Sequence, residues 1–413
     1  MLGSSARMTH KIIKTPPGPK AKEIVSYINK HCLDATFTYP LVVRTGYQCY
    51  IEDVDGNVFL DFASNIGVSQ LGYSHPEILR VLREYSKLSA LKIAGQDFYS
   101  EEHANLAKGI LSTVPENFKA FFVNSGAEAV ENAIKLAYRS RGPLTGISCL
   151  GAFHGRTLGA LTFTYSKPVQ KKNFPEFAVK RIKFCTTDDD SNIDDISKVL
   201  QEQKDVAFII TEVFQGEGGY NIASKRFMQN IYRAARDHDI PLILDEVQSG
   251  MGRTGEWWAW NHYGIKPDIM TAAKGLQVGA TLFDARFDPK EKGALSSTWG
   301  GGHRLDMAVG ATVIEVIKRD KLLDNAKKMG SLLLKRMNEF VGKHEVMDVR
   351  GLGLMIAVEF ETKERRDEVL QEAFKNGLIL LPAGVKAMRV IPPLIITEKE
   401  IDEGIEIFEQ SLS

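Results

Sequence analysis

Between about residues 115 and 275, short apolar runs alternate with helical patterns. Lys119 to Val123 (KAFFV), Ile147 to Leu150, Val206 to Val213 (VAFIITEV), Pro241 to Val247 (PLILDEV) and Pro267 to Lys274 (PDIMTAAK) read as five strands. Between the first two, 127–139 carries Ala127, Val130, Ala133, Ile134 and Ala137 at three- and four-residue intervals, which predicts a helix with one apolar face. A second amphipathic helix is predicted over 225–238. Nearly continuous apolar strands separated by helices predict an α/β fold, with a mostly parallel sheet covered on both faces.

Upstream, YQCYIEDV and NVFLDF flank Asp55-Gly56 within 47–62 and read as a hairpin, because Asp-Gly supplies the positive φ that a tight turn requires. Beyond about residue 306 the rhythm changes to helical patterns over 306–318 and 322–340, then strand-rich VRGLGLMIAVEF, a helix near 363–376 and LILLP. That mixed tail reads as a smaller α+β domain. The predicted organisation is an N-terminal segment, 1–65, that joins the small domain, a large domain over 66–308 and the C-terminal small domain over 309–413. Two or three domains suit a chain of 413 residues.

The 52 Lys and Arg balance 52 Asp and Glu, which argues against a nucleic-acid binder, since such a surface needs clustered excess cation. With 44% hydrophobic and 25% charged residues the chain reads as soluble and globular rather than disordered. Cys32, Cys49, Cys149 and Cys185 form no C-x-x-C pair and no zinc-like spacing, so they are expected to be reduced, mostly buried thiols in a cytoplasmic protein. The first residues are polar and broken by prolines, unlike a secretory leader or a membrane span.

In open parallel sheets ligands sit beyond the carboxyl ends of the strands, so the residues that follow each run carry the functional signal. After KAFFV come Asn124, Ser125, Gly126, Ala127 and Glu128, where a tight turn meets the start of a helix and its unpaired N–H groups make an anion seat. Ser125 with Glu128 three residues on also reads as a capping box, and both readings can hold together. After ISCL comes GAFHGRT, which places Phe153, His154 and Arg156 at one strand end. Taken singly, the phenylalanine would read as core and the arginine as a surface charge. Asp245 closes the fourth run, where a buried carboxylate needs a cationic or protonated partner. Lys274 closes the fifth, where a dry setting would ease deprotonation of its amine and suit it to Schiff-base chemistry.

Anion seat, aromatic ring, carboxylate and strand-end lysine together resemble the site of the fold type I enzymes that use pyridoxal 5'-phosphate (PLP). More specifically, the chain resembles the class III aminotransferases, the group holding the 4-aminobutyrate, ornithine, acetylornithine and lysine 6-aminotransferases. The resemblance runs from about residue 48 to 405 on IEDVDGNVFLDF, NSGAEAVENAIKLA, FHGRTLGAL, QGEGGY, PLILDEVQSGMGRTG, PDIMTAAKG, SSTWGGG and RGLGLM. It implies that Lys274 is the residue that binds PLP covalently and later moves the proton, and that Asp245 pairs with the pyridine nitrogen. It further implies that Gln248 approaches the ring hydroxyl, Phe153 and Val247 flank the ring faces, and Ser125, Gly126 and Ala127 hold the phosphate. Thr298 matches the threonine that a neighbouring subunit supplies to that phosphate, so a homodimer, or a dimer of dimers, is implied.

For the substrates, the resemblance implies that Arg389 grips the α-carboxylate of the oxo-acid and that Glu217 neutralises this arginine while an ω-amino donor is bound. Arg156 would take the distal carboxylate, a pairing that a guanidinium makes bidentately. Glu212 and Ile66 line the same region in relatives. The chain departs from many relatives at Asn65, where glycine is common, at Val213, where proline is common, and in the 24 positions from Lys274 to Thr298 (298 − 274), a short connection. The implied reaction moves a terminal amine to 2-oxoglutarate, giving a semialdehyde and glutamate, with 4-aminobutyrate the favoured donor and lysine or ornithine the alternatives. An amino-acid racemase on the same scaffold and a PLP-fold binding protein are the competing readings.

Overall fold

The computed structural model describes residues 8–35, 37–95, 97–296 and 299–413. Two compact units divide the chain: Glu77–Leu323, and Met1–Pro76 together with Asp324–Ser413.

The first unit is built on a seven-stranded sheet. Its elements are β1 (Phe118–Val123), α1 (Gly126–Arg141), β2 (Thr145–Cys149), β3 (Val179–Ile182), β4 (Val206–Glu212), α2 (Lys225–Asp237), β5 (Leu242–Asp245), β6 (Ile269–Ala272) and β7 (Gly279–Asp284). The strand order is β1-β7-β6-β5-β4-β2-β3. β3, β2, β4, β5 and β6 pair in parallel, while β7 lies antiparallel to both β6 and β1. The mostly parallel α/β sheet expected from the apolar runs is therefore present. The predicted apolar face of α1, with Val130, Ala133, Ile134 and Ala137, packs on Phe208, Ile210, Ile243 and Ile269 of the sheet. Burying each of these larger side chains stabilises the unit by roughly 1.5–3 kcal/mol.

Two strands go beyond the five that the pattern predicts. β3 reads VKRI, an edge strand whose cations interrupt any apolar run. β7 opens with Gly279-Ala280, weak strand formers, and follows β6 after only a single 3-10 turn at Lys274–Leu276 with no α-helix between them, so neither propensity nor alternation marks it.

The second unit holds two four-stranded sheets. One joins Val43–Tyr47, Tyr50–Asp53, Val58–Asp61 and Leu378–Ile379 in that order. Its hairpin turns at Asp55-Gly56 as expected, with Gly56 at φ +90° and Asp53 Oδ1 accepting the N–H groups of Asp55 at 2.9 Å and Asn57 at 2.8 Å. Phe59 of this sheet stacks on Phe374 of the helix Lys363–Lys375, ring centroids 5.3 Å apart. The other sheet orders Val346–Leu352, Met355–Phe360, Ala387–Val390 and Leu381–Ala383. Cys49, Cys149 and Cys185 are buried free thiols and Cys32 is exposed. Among the described residues no helix is long and apolar enough to cross a membrane.

Candidate active site

The carboxyl ends of β4, β5 and β6 bring Glu212, Asp245 and Thr271 into one row, because Asp245 is the register partner of both others. Asp245 is buried, and its oxygens are held from three sides. Oδ1 accepts from Val247 N–H at 3.0 Å and from Thr271 Oγ1 at 2.9 Å, while Oδ2 lies 2.8 Å from His154 Nδ1. An ionised carboxylate offers about four acceptor positions, so three partners leave room for one more donor. His154 is buried as well, and its Nε2 has no hydrogen-bond partner among the described residues. The sequence placed His154 in the right motif without a role; its link to Asp245 joins two segments 91 residues apart, which no local pattern marks.

Glu212 behaves differently from its neighbour. Its carboxyl accepts the Phe153 N–H through Oε2 and the Gly216 N–H through Oε1, each at 2.9 Å, which ties the FHGR and QGEGG loops to one side chain. Burial pushes its pKa up to about 7, nearby His154 counters that rise, and the adjacent Asp245 adds to it.

At the end of β1 the chain enters α1 through Ser125, whose side chain accepts the Glu128 N–H at 3.2 Å. Glu128 does not complete a reciprocal box on Ser125; its Oε2 reaches one residue further back, to the Asn124 N–H at 2.7 Å. The N–H groups of Gly126 and Ala127 lie in the first turn, where a helix provides no internal acceptor and the dipole favours an anion. Packing explains the glycines here. A Cβ on Gly126 would stand 2.9 Å from Val247 Cγ1, and one on Gly155 would stand 2.8 Å from the Cβ of Ala127. Val247 and the FHGR loop therefore press directly against this helix terminus. Gly279 performs the same service for β7, since a Cβ there would lie 2.3 Å from the carbonyl oxygen of Ser125.

Lys274 follows β6 at φ +46°, a left-handed conformation that costs a non-glycine residue free energy and that clusters at functional sites. Its carbonyl accepts from the Gln277 backbone and side chain. Ala273, just before it, approaches the Gly126 turn. Gln248 packs against Gly216, and its buried Oε1 has no hydrogen-bond partner among the described residues. Phe153 carries the Arg156 guanidinium over its ring at 5.1 Å, and Arg156 is exposed. Glu217 forms an ion pair with Lys167 at 3.6 Å.

Ser125, Gly126, Ala127, Phe153, Arg156, Glu212, Asp245, Val247, Gln248 and Lys274 thus converge at the strand ends of one unit. Glu217 belongs to the QGEGG loop of the same unit. Ile66 and Arg389 lie in the other unit. Arg389 sits on the strand Ala387–Val390, buried, its Nε and Nη2 donating to the carbonyl of Pro382 at 3.0 and 2.8 Å. Ile66 is 40% exposed and, with Ser64 and Asn65, forms three successive non-glycine residues at positive φ. Asn65 tolerates that region better than most residues, so it can replace the glycine common in relatives; a β-branched isoleucine there is a strained outlier. Thr298 lies outside the described residues.

The sheet, the helix terminus and the strand-end lysine and aspartate are those of a fold type I PLP-dependent enzyme. Residues 34–412 match the family Aminotransferase class-III, and the chain belongs to that family. It is 33% identical to the acetylornithine aminotransferase of Caldanaerobacter subterraneus subsp. tengcongensis, over 94% of this chain and 99% of the relative. It is 30% identical to the alanine/serine racemase of Pyrococcus horikoshii, over 97% of this chain and 92% of the relative. Among solved structures, the lysine aminotransferase from M. tuberculosis superimposes with a TM-score of 0.88 at 28% identity, covering 95% of this chain and 98% of that one. The protein is a class III PLP-dependent aminotransferase. The residues present suit that cofactor: a helix terminus for a phosphate, a carboxylate with spare acceptor capacity for a protonated ring nitrogen, an unpartnered amide oxygen for a ring hydroxyl, and a strand-end amine.

Proposed function

We propose that the protein transfers the terminal amine of a diamino acid of the ornithine or lysine type, free or acetylated at its α-nitrogen, to 2-oxoglutarate, yielding a semialdehyde and glutamate. The observation that carries the reaction class is the row of Asp245 and Thr271 beside the strained Lys274, opposite the terminus of α1. The donor rests on likeness: the relatives just named include an acetylornithine and a lysine aminotransferase. On that ground 4-aminobutyrate, favoured from sequence alone, falls behind the diamino acids.

PLP, when bound, supplies an electron sink that stabilises negative charge on the substrate carbon. The protein does the rest. Gly126 and Ala127 present N–H groups to the phosphate with Ser125 capping the turn, while Asp245, steadied by Thr271 and His154, keeps the ring nitrogen protonated. Phe153 and Val247 confine the ring between them and exclude water, and Gln248 reaches its hydroxyl. Lys274 Nζ would be the amine that binds the cofactor covalently and the group that takes up and gives back the proton at the substrate carbon. Arg156 receives the distal carboxylate of the oxo-acid and Arg389 its α-carboxylate, with Glu217 neutralising Arg389 while the diamino acid is bound and Ile66 and Glu212 bounding the pocket.

Each subunit is proposed to work in a homodimer in the cytoplasm. Phe98, Tyr99 and Trp299 are exposed, and covering such aromatic surface is what a partner subunit would do.

Mixing the holoenzyme with ornithine, acetylornithine, lysine and 4-aminobutyrate in turn tests the donor. Loss of the PLP absorption band with a diamino acid is expected; loss with 4-aminobutyrate alone would overturn the assignment. The racemase relative motivates a second arm, in which one enantiomer of alanine or serine is incubated without oxo-acid. Accumulation of the mirror image would replace transamination by racemisation.

A further inference from the structure

Between Asp245 and the two residues assigned to the face and the hydroxyl of the cofactor ring stands a second acid, Glu246. It is 1% exposed, and taking a carboxylate out of water is costly unless donors meet it. Three donors meet this one. Its Oε2 accepts from Ser249 Oγ at 2.6 Å and from the Ala259 N–H at 3.1 Å, and its Oε1 accepts the Trp260 N–H at 2.9 Å. Burial pushes its pKa up to about 7, the three donors counter that rise, and adjacent Asp245 adds to it.

These donors come from two segments. Ser249 belongs to the turn that carries Val247 and Gln248, which the Glu246 backbone closes: its carbonyl accepts the Gly250 N–H at 3.0 Å, and its N–H donates to the Thr271 carbonyl of β6 at 3.0 Å. Ala259 and Trp260 open the short 3-10 helix Ala259–Tyr263, where the first N–H groups have no acceptor inside the helix. That helix is fixed to the rest of the unit. Trp258 Nε1 donates to the Thr113 carbonyl at 3.0 Å, and Tyr263 Oη donates to the Ala223 carbonyl at 2.6 Å. The two segments also pack closely, since a Cβ on Gly250 would stand 2.6 Å from Trp258 Cζ3. One side chain thus couples the Val247–Gln248 turn to a helix braced at both ends.

From this geometry, and resting on the roles proposed above for Val247 and Gln248, we infer that Glu246 is a positioning residue for the cofactor. It acts through its neighbours, setting where the Val247 side chain meets a face of the ring and where the Gln248 amide meets the ring hydroxyl. The buried Oε1 of Gln248 has no hydrogen-bond partner among the described residues, so no bond of its own fixes that oxygen and it follows the turn. Removing the carboxylate takes the acceptor from the N–H groups of two buried residues, Ala259 and Trp260, a costly arrangement that is relieved when one segment shifts against the other.

The test compares the holoenzyme with Glu246→Gln, Gln248→Ala and the double variant, by the dissociation constant of PLP and by the circular dichroism of its visible absorption band, which reports how the ring is held in its asymmetric pocket. Glutamine keeps the size of the side chain but turns an NH₂ group toward a donor, so Glu246→Gln should raise the dissociation constant about tenfold and alter the dichroic band. The double variant should fall well short of the sum of the two single changes, because one residue acts through the other. Ser249→Ala removes one neutral donor and leaves both backbone N–H groups on the acid; it should alter the band in the same direction by less, and it decides the question if Glu246→Gln does not fold. An unchanged band and affinity, with only a lower melting temperature, or full additivity with Gln248→Ala, would each overturn the inference. If Gln248→Ala alone leaves the band unmoved, the role given to Gln248 fails; an altered band in Glu246→Gln then upholds positioning through Val247, and an unaltered one ends it.

Discussion

The floor of the site and its rim are built on opposite terms. At the floor, Asp245 is buried and gripped by Val247, Thr271 and His154, and every one of those contacts comes from a strand end or the segment just beyond one. At the rim, Arg156 is exposed and leans on Phe153, and Glu217 meets Lys167 in a partly solvated pair. Low local dielectric strengthens the floor's electrostatics and makes each unpaired group costly. Arg156 and Lys167 keep contact with solvent, so the cation–π contact and the ion pair they make are weak enough to be exchanged. Fixed charges suit chemistry that is the same in both half-reactions, and exchangeable charges suit substrates that differ between them.

The sharpest way to break this contrast is at Lys274. Lys274→Ala should retain PLP after gel filtration yet lose turnover by far more than the roughly 10²–10⁴-fold expected from removing a general acid–base alone. Near-normal turnover would remove the floor's central group.

Glu212 tests the floor by pH. Its carboxyl titrates near 4.5 in the unfolded chain and at about 7 in the folded one, because burial disfavours the charged form. Below pH 4.5 both states hold the proton and stability is unaffected. As pH rises from there to about 7, only the unfolded chain releases it, so the wild type loses stability, levelling off at about 3 kcal/mol. Glu212→Gln should remove that slope from the holoenzyme's urea-denaturation curves across this window; parallel wild-type and variant profiles would show that Glu212 ionises normally.

The smallest effect is expected at the rim. Arg156→Gln should raise KM for 2-oxoglutarate about tenfold, the order expected for losing a charge-assisted bond to a carboxylate. A collapse of kcat to the level of Lys274→Ala would mean that the rim takes part in the chemistry itself.

Much of the floor could be read from the sequence, because strand ends in a parallel sheet are positions that pattern alone locates. Asp245 and Lys274 each close an apolar run, and Gly126 follows one. What escaped notice depends on the third dimension. The His154–Asp245 contact and the Lys167–Glu217 pair join segments distant in the chain, and a histidine or lysine in a loop carries no periodic signal. The antiparallel β7 went unpredicted because glycine and alanine open it, yet GATLFD places Gly279 where only a missing side chain fits beside Ser125. Left-handed Asn65 and Ile66 were equally invisible, since non-glycine residues give little warning of positive φ.

The reversal of β7 has a further consequence for the length of the chain. β6 delivers Lys274 to the ligand end of the sheet, and β7 sets out from that same end at Gly279, so residues 275–278 must turn the chain within a fixed gap. Alternate residues of a strand face opposite sides, and a single insertion that slid β7 by one place would exchange the buried and outward faces of its residues against β1 and β6. It would also push a side chain toward the Ser125 carbonyl. Deletions and insertions should therefore be tolerated in the loops around the sheet long before they are tolerated in these four residues.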